Sequence, residues 1–148
     1  MPMTFHDMDI ALRLFIAAFL GGLIGLERES HGKDAGVRTY SLVCLGSALI
    51  MVVSTQMFEV YRGVTQVDPA RIAAQVVSGI GFLGAGAIIR FPQGVKGLTT
   101  AAGIWTASGI GLACGMGLYH PAVLTTFFAL AILFIFSKID RFFGGKDN

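Results

Sequence analysis

The chain has 148 residues, of which 54% are hydrophobic and 14% are charged, with a mean hydropathy of +0.71 and a net charge of +2. A typical water-soluble domain is about 25% charged, so this composition excludes an ordinary water-soluble domain and indicates an exterior that faces the lipid bilayer. Because the net charge is small and no cluster of Lys and Arg alternates with aromatic residues, we predict no nucleic-acid partner.

Five apolar segments approach or reach the roughly 20 residues that a helix needs to cross a bilayer. We therefore predict an all-α, polytopic membrane protein with about five transmembrane helices in a single domain over residues 1–148. The predicted spans are residues 10–26, 40–58, 72–89, 98–118 and 121–137. The first span is of marginal length, which leaves open a four-span alternative in which that segment lies in the membrane interface.

Basic residues predict the orientation of the spans. Five spans place the termini on opposite sides, and one side collects eight basic residues: Arg28, Lys33, Arg38, Arg90, Lys96, Lys138, Arg141 and Lys146. Arg13, Arg62 and Arg71 fall on the other side. Cytoplasmic loops carry the excess of Lys and Arg, so we predict the N-terminus outside and the C-terminus in the cytoplasm.

Glycine is concentrated in three of the spans, where small residues allow helix backbones to approach closely. The third span is the most glycine-rich, so we predict that it lies at the centre, while the bulkier second and fifth spans face lipid. The predicted packing positions are Gly21, Gly25, Gly79, Gly81, Gly84, Gly86, Gly103, Gly111 and Gly115. Gly79, Gly81 and Gly84 also match a dinucleotide-binding spacing, but inside a membrane span this pattern predicts no cofactor.

Polar residues mark one face of the third span. Arg71, Gln75, Ser78 and Phe82 are separated by steps of four, three and four residues, which places them on one helix face. Since polar groups are costly in hydrocarbon, we expect this face to point at protein or water. Together with residues near the expected cytoplasmic mouth, it is a candidate polar cluster or conduction path, and plain helix packing is the favoured interpretation of the small faces beside it. The mouth residues are Glu27, Arg28, Arg38, Thr39, Thr99 and Thr100.

Three further residues carry structural predictions. Asp68, followed by Pro69, is expected to cap the third helix, and Arg71 is expected to pair with Asp68 or Glu59. Trp105 lies roughly 10 Å along the fourth helix, deeper than an aromatic belt, so its indole N–H is expected to find a partner inside the bundle.

Acidic residues near the cytoplasmic mouth raise the question of a metal site. Glu27, Glu29 and Asp34 are candidate Mg²⁺ ligands, but ion pairs with Arg28, Lys33 and Arg38 explain them equally well, and pairing is the favoured interpretation. No acidic residue falls in the middle of a predicted span, which argues against a carboxylate relay. The sequence has no Ser-His-Asp set, phosphate loop or buried carboxylate pair that predicts an enzyme.

The combined motifs resemble the MgtC/SapB membrane family. They are Gly21-Gly22-Leu23-Ile24-Gly25-Leu26-Glu27-Arg28-Glu29, Gly36-Val37-Arg38-Thr39, the run from Arg71 to Gly86, Gly97-Leu98-Thr99-Thr100-Ala101-Ala102, and Trp105. The resemblance implies a multi-pass protein of the bacterial inner membrane, linked to magnesium limitation, whose best-known relatives are regulators. Many members add a soluble C-terminal domain. The short tail after the last predicted span implies that only the transmembrane domain is present here.

Two functions follow as hypotheses. The first is a non-enzymatic regulatory protein that acts through helix contacts, either with a second copy, where a dimer is the favoured homo-oligomer, or with another membrane protein. The second is a small transporter or channel for a divalent cation such as Mg²⁺, or for another small solute.

Overall fold

A computed structural model describes residues 7–66 and 68–143, with side chains through residue 139. Over these residues the chain forms five α-helices and one short β-hairpin, which confirms the all-α prediction. The helices are α1 (Asp7–Ser30), α2 (Val37–Tyr61), α3 (Pro69–Gly86), α4 (Leu98–Gly115) and α5 (Tyr119–Phe143). The hairpin strands are β1 (Ile89–Phe91) and β2 (Gly94–Lys96), and they connect α3 to α4.

Three of the described helices are long and apolar enough to cross a membrane: α1, α2 and the part of α5 from Tyr119 to Ile139. Helices α3 and α4 have 18 residues each. At 1.5 Å per residue each is about 27 Å long, slightly less than a hydrocarbon core of about 30 Å. Glycine, alanine and polar residues also dilute their hydropathy.

The start of α3 follows the sequence signal closely. The Asp68 carboxylate accepts a hydrogen bond from the Ala70 amide at 2.9 Å, and Pro69 occupies the first helical position. The Arg71 guanidinium lies 3.7 Å from the Asp68 carboxylate. The predicted cap and the predicted ion pair are therefore both confirmed.

The end of α3 differs from the prediction. The third span was expected to continue to residue 89, but α3 ends at Gly86 and Ile89 already belongs to β1. The strands pair antiparallel, with Ile89 opposite Lys96 and Phe91 opposite Gly94. Gly97 then has φ +90°, and a side chain there would collide with the Ala87 carbonyl oxygen. Only glycine brings the chain back so tightly from the hairpin into α4.

The core lies between α1, α2 and α4. Its largest fully buried side chains include Tyr40 and Cys44 on α2, Ile24 on α1, and Ile110 and Cys114 on α4. Helix α2 touches α1, α3 and α4. The prediction that α2 faces lipid and α3 is central was therefore wrong.

Helix α3 is peripheral because only one stripe of it is buried, formed by Val76, Ile80 and Gly84. It packs on α2 and α4, and its remaining circumference is exposed. Helix α5 is also peripheral, since only 11% of the residues in its most apolar stretch, within Tyr119–Ile139, are buried. Its exposed Phe127, Phe128 and Phe134 agree with the predicted lipid-facing surface.

Candidate functional site

Tyr40 occupies the point where α1, α2 and α4 meet. Its side chain is fully buried, and its hydroxyl donates to the Thr100 carbonyl oxygen at 3.4 Å. Glycines make room on both sides. A Cβ on Gly21 would lie 2.5 Å from the Tyr40 carbonyl oxygen, and one on Gly103 would collide with the Tyr40 hydroxyl. Helix α2 therefore carries the large side chain at this point, and its neighbours α1 and α4 carry the glycines that accommodate it.

The same arrangement continues along α2 towards its other end. The Cys44 thiol donates to the Ala107 carbonyl oxygen at 3.0 Å. A side chain on Gly111 would collide with the Cys44 carbonyl oxygen, and one on Gly115 with that of Ala48. These contacts pack the backbones of α2 and α4 directly against each other, which leaves no room for water between them.

Helix α1 closes against the first turn of α2. A Cβ on Gly25 would lie 2.6 Å from the Val37 Cα. The predicted packing glycines of α1 and α4 thus lie at contacts within one chain. Among the third-span glycines, Gly84 has Ala101 as a neighbour at 3.7 Å, but Gly79, Gly81 and Gly86 have no atom of another element within 4 Å of an added Cβ.

An ion pair is buried at the end of α1. Arg28 is only 4% exposed, and its guanidinium donates to both Glu27 carboxylate oxygens, from Nε at 2.5 Å and from Nη2 at 2.7 Å. The His31 Nδ1 lies 3.1 Å from Glu27 Oε1. Such a bidentate, charge-assisted pair is among the stronger polar contacts in proteins. Glu27, Arg28 and His31 are called the α1-end cluster below.

The candidate Mg²⁺ ligands do not converge. Glu27 is engaged by Arg28, and the Glu29 carboxylate accepts a hydrogen bond from the Val37 amide at 3.0 Å, at the positive end of the α2 dipole. Asp34 is exposed in the loop between α1 and α2. Among the described residues no group of three or more His, Cys, Asp or Glu side chains is placed to hold a metal ion. Of the three, only Glu29 links the end of α1 to the start of α2.

The other predicted polar residues fall into two separate sets. Near the α1-end cluster, Arg38 and Thr99 are exposed, Thr39 is half-buried, and Thr100 contributes its carbonyl oxygen to Tyr40. The second set, Arg71, Gln75 and Ser78, lies on the exposed face of α3. Within this chain the structure therefore does not join the two sets into one path.

Trp105 was expected inside the bundle, and that prediction was wrong. Its side chain is 56% exposed. Gly103 faces Tyr40 on α2, and two residues further along a helix is a rotation of about 200°, so Trp105 points away from the core. The distance of Trp105 from the start of α4 was estimated correctly. That distance does not specify on which face of the helix the side chain lies.

At the opposite end of the bundle, Arg13 links α1 to α4. Its Nε lies 2.8 Å from Asp9 Oδ2, and its Nη1 donates to the Gly115 carbonyl oxygen at 2.8 Å. A cation at the C-terminal end of a helix also favours the helix dipole. Sequence reasoning counted Arg13 only among the basic residues of the outer side and missed both contacts, although the spacing of Asp9 and Arg13 indicated an ion pair.

These contacts define two ends of the bundle. The end of α1 and the starts of α2 and α4 meet around Tyr40, whereas Arg13 at the start of α1 meets Gly115 at the end of α4. Ser54 near the end of α2 donates to the Pro69 carbonyl oxygen at the start of α3. Helices α1 to α4 therefore alternate in direction. Arg28, Lys33, Arg38, Arg90 and Lys96 all lie at the Tyr40 end, while Arg141 and Lys146 lie outside the described side chains.

Two lateral cavities lie between helices. One, of about 480 Å³, is lined mainly by apolar side chains of α2 and α3, with Ser47 and Gln75 as polar members. The other, of about 240 Å³, lies between α1, α4 and α5 and includes Thr99, Thr106 and Thr125. Both linings are predominantly apolar, which suits hydrocarbon better than a hydrated ion.

Comparison with known proteins relates the chain to one family of membrane proteins. The model of the MgtC family matches residues 14–142. YhiD of Escherichia coli K12, by its name a candidate magnesium transporter, is 44% identical over 133 residues, which cover 88% of this chain and 62% of YhiD. SapB of Bacillus subtilis is 43% identical over 100 residues, covering 65% of this chain and 43% of SapB. MgtC of Salmonella typhimurium LT2 is 49% identical over 92 residues, covering 62% of this chain and 36% of MgtC.

The chain thus spans less than two thirds of the length of each of these relatives. No solved structure matches it.

Proposed function

Because this chain belongs to the MgtC family, we propose that it is a non-enzymatic regulatory protein of the bacterial inner membrane that supports growth under magnesium limitation. It acts through contacts between its helices and other membrane-embedded helices. All five helices cross the bilayer, with the N-terminus outside and the C-terminus in the cytoplasm.

The alternating helix directions support five crossings. The Arg13–Gly115 hydrogen bond joins α1 to α4 at one end, and the Tyr40–Thr100 hydrogen bond joins α2 to α4 at the other, so the short α4 lies alongside the longer α1 and α2. A segment packed in this way shares the membrane depth of its neighbour. The five basic residues grouped at the Tyr40 end support the proposal that this end faces the cytoplasm.

The sealed interface of α1, α2 and α4 is the observation that carries the regulatory proposal. Glycines on α1 and α4 bring both backbones against α2, so the centre of the bundle is packed and dry. Mg²⁺ keeps several waters and binds through carboxylate oxygens. The nearest carboxylates, Glu27 and Glu29, are engaged by Arg28 and by the Val37 amide. These features favour a protein that works by contact over one that conducts ions through a single chain.

Transport of Mg²⁺ or of another small solute is the second candidate function. The name of YhiD favours it, and so does the exposed polar face of α3, which can border a path only if another chain covers it. The two functions predict different results with purified protein in liposomes, because only a transporter moves Mg²⁺ down its gradient.

A growth assay tests the regulatory proposal. The chain is expressed in a bacterial strain that lacks its own MgtC-family protein, and growth is followed at limiting and at ample magnesium. We expect rescue at limiting magnesium only, with loss of rescue for Arg28→Ala at equal membrane abundance. Lys33→Ala is the matched control, because it removes an exposed positive charge from the adjacent loop. Equal growth with and without the chain at limiting magnesium would contradict the proposal.

A further inference from the structure

The exposed face of α3 has the spacing of a helix-pairing surface. Six exposed residues follow one another at alternating steps of three and four: Asp68, Arg71, Gln75, Ser78, Phe82 and Ala85. This is the a/d pattern of a left-handed helix pair, a geometry that is also common between membrane helices. The buried residues Val76 and Ile80 lie on the other side of α3. We call the six residues the α3 seam.

The α3 seam carries polar groups without partners in this chain. Among the residues that the structure describes, neither the Gln75 amide nor the Ser78 hydroxyl has a hydrogen-bond partner. Both lie in the middle third of α3, where water is absent if the helix crosses a bilayer. Polar groups at that depth are costly in lipid and normally face other protein. Gln75 borders the α2–α3 cavity and Ser78 is exposed, so a protein partner on this face would supply the hydrogen bonds that they lack.

The positions beside the seam allow that partner to approach closely. Ala74 and Gly81 border it on one side, and Gly79 and Gly86 border it on the other. A Cβ added to any of these glycines would meet no neighbouring atom within 4 Å. Phe82 is 82% exposed between them and offers a large apolar side chain to pack into a matching space. The α3 seam thus combines one large side chain, Phe82, with small flanking residues, and small residues allow two helices to approach closely.

Charge complementarity identifies the partner. Asp68 and Arg71 lie at successive seam positions near the outer end of α3 and are 57% and 87% exposed. A twofold axis parallel to two such helices brings each residue opposite its own copy, so the two Arg71 guanidinium groups and the two Asp68 carboxylates can alternate around the axis, with Arg71 of each copy in reach of Asp68 of the other. It also brings Gln75 against Gln75, where each amide can both donate and accept. A face of this kind is self-complementary, which is the requirement of a twofold interface.

We propose that a second copy of this chain docks on the α3 seam, forming a parallel twofold pair with the two Gln75 side chains hydrogen-bonded at its centre. The inference rests on the part of the proposed function in which α3 crosses the membrane. It does not depend on whether the protein regulates or transports.

Disulfide trapping in native membranes tests the pairing. Ser78→Cys is placed in the full chain, and Val77→Cys is the matched control because it lies at the same depth but about 100° around the helix. The natural Cys44 and Cys114 are buried, so the unmodified chain should remain monomeric under oxidation. We expect most of Ser78→Cys to migrate as a homodimer, with at least a tenfold smaller dimer fraction for Val77→Cys. Equal trapping at the two positions, or an adduct of Ser78→Cys with a different protein, would overturn the proposal.

A bulky side chain beside the seam provides the second test. Gly81→Leu should convert dimers to monomers in lipid nanodiscs of controlled size, counted by single-molecule photobleaching. Gly109→Leu on α4 is the control, since that glycine also has no neighbour within 4 Å and lies away from the seam. Unchanged dimers in Gly81→Leu, or an unmodified chain that is monomeric, would overturn the pairing. Resistance to alkaline carbonate extraction, measured on the cell membranes from which each variant is purified, shows independently whether the chain is inserted in the membrane.

Discussion

The hydroxyl of Tyr40 occupies the space that a side chain on Gly103 would need. This relationship fixes how closely α2 and α4 approach at the Tyr40 end of the bundle. The hydroxyl itself makes only a long hydrogen bond of 3.4 Å to the Thr100 carbonyl oxygen. Its main contribution is therefore the volume that it fills.

A suppressor experiment follows from this contact. Gly103→Ala should destabilise the protein by about 1–3 kcal/mol, the usual cost of overpacking a core, because the new methyl group overlaps the Tyr40 hydroxyl. Tyr40→Phe removes that oxygen and leaves the ring carbons 3.2 and 3.3 Å from the added Cβ. The double variant should regain most of the lost stability in detergent, measured as thermal unfolding. Additive losses would show that the two residues are not in contact.

Backbone contact between α2 and α4 makes a second prediction. Gly111→Ala should also cost about 1–3 kcal/mol, but no single side-chain change should rescue it, because the added methyl group meets the Cys44 carbonyl oxygen. Gly109→Ala on the same helix faces open space and should be neutral or stabilising by up to about 1 kcal/mol, as alanine favours helix. Similar unfolding temperatures for the two variants would contradict the observed packing.

The buried ion pair should be worth more than an exposed one. Arg28→Ala leaves the Glu27 carboxylate partly buried without its partner, and we expect a loss of about 3–5 kcal/mol. Arg62→Ala breaks the pair with Glu59, in which Arg62 is 69% exposed, and should change stability by at most about 1 kcal/mol. Denaturation in mixed micelles measures both. An Arg28→Ala variant as stable as Arg62→Ala would show that Arg28 is not buried.

Arg13 should protect the last turn of α4. Arg13→Gln removes the charged hydrogen bond to the Gly115 carbonyl oxygen, and bonds of this type contribute about 1.5–3 kcal/mol. Hydrogen exchange of the amides at the end of α4 should therefore accelerate, while amides near Tyr40 keep their protection. Uniform acceleration across the chain would mean that Arg13 stabilises the whole fold and not this one junction.

Local signals in the sequence specified local structure well. Asp68 and Pro69 predicted the start of α3, and the apolar runs located all five helices to within a few residues, except that α5 continues to Phe143. The hairpin was missed because Pro92, Gln93 and Gly94 fit a plain interhelical loop as well as a two-residue turn. The favoured pairing of Glu27 with Arg28 agrees with the structure.

Contacts between helices were harder to predict. A glycine face shows that a helix can be approached closely but does not show what approaches it. Gly21 and Gly111 accommodate the bulkier α2, whereas Gly79 and Gly81 are left open on the outside of α3. Counting glycines therefore placed the wrong helix at the centre. The signal for α2 was the spacing of Tyr40, Cys44 and Ala48 at steps of four residues, which sets one continuous stripe along that helix.

The function proposed here depends on whether this chain conducts Mg²⁺, and a flux measurement tests that most directly. The full chain is reconstituted in liposomes that contain a Mg²⁺-sensitive dye, with its orientation verified by protease digestion and its dimer fraction counted by single-molecule photobleaching. We predict the same rate of dye response to external Mg²⁺ as in protein-free liposomes. A saturable Mg²⁺ influx that increases with the protein-to-lipid ratio would contradict the regulatory account and establish transport instead.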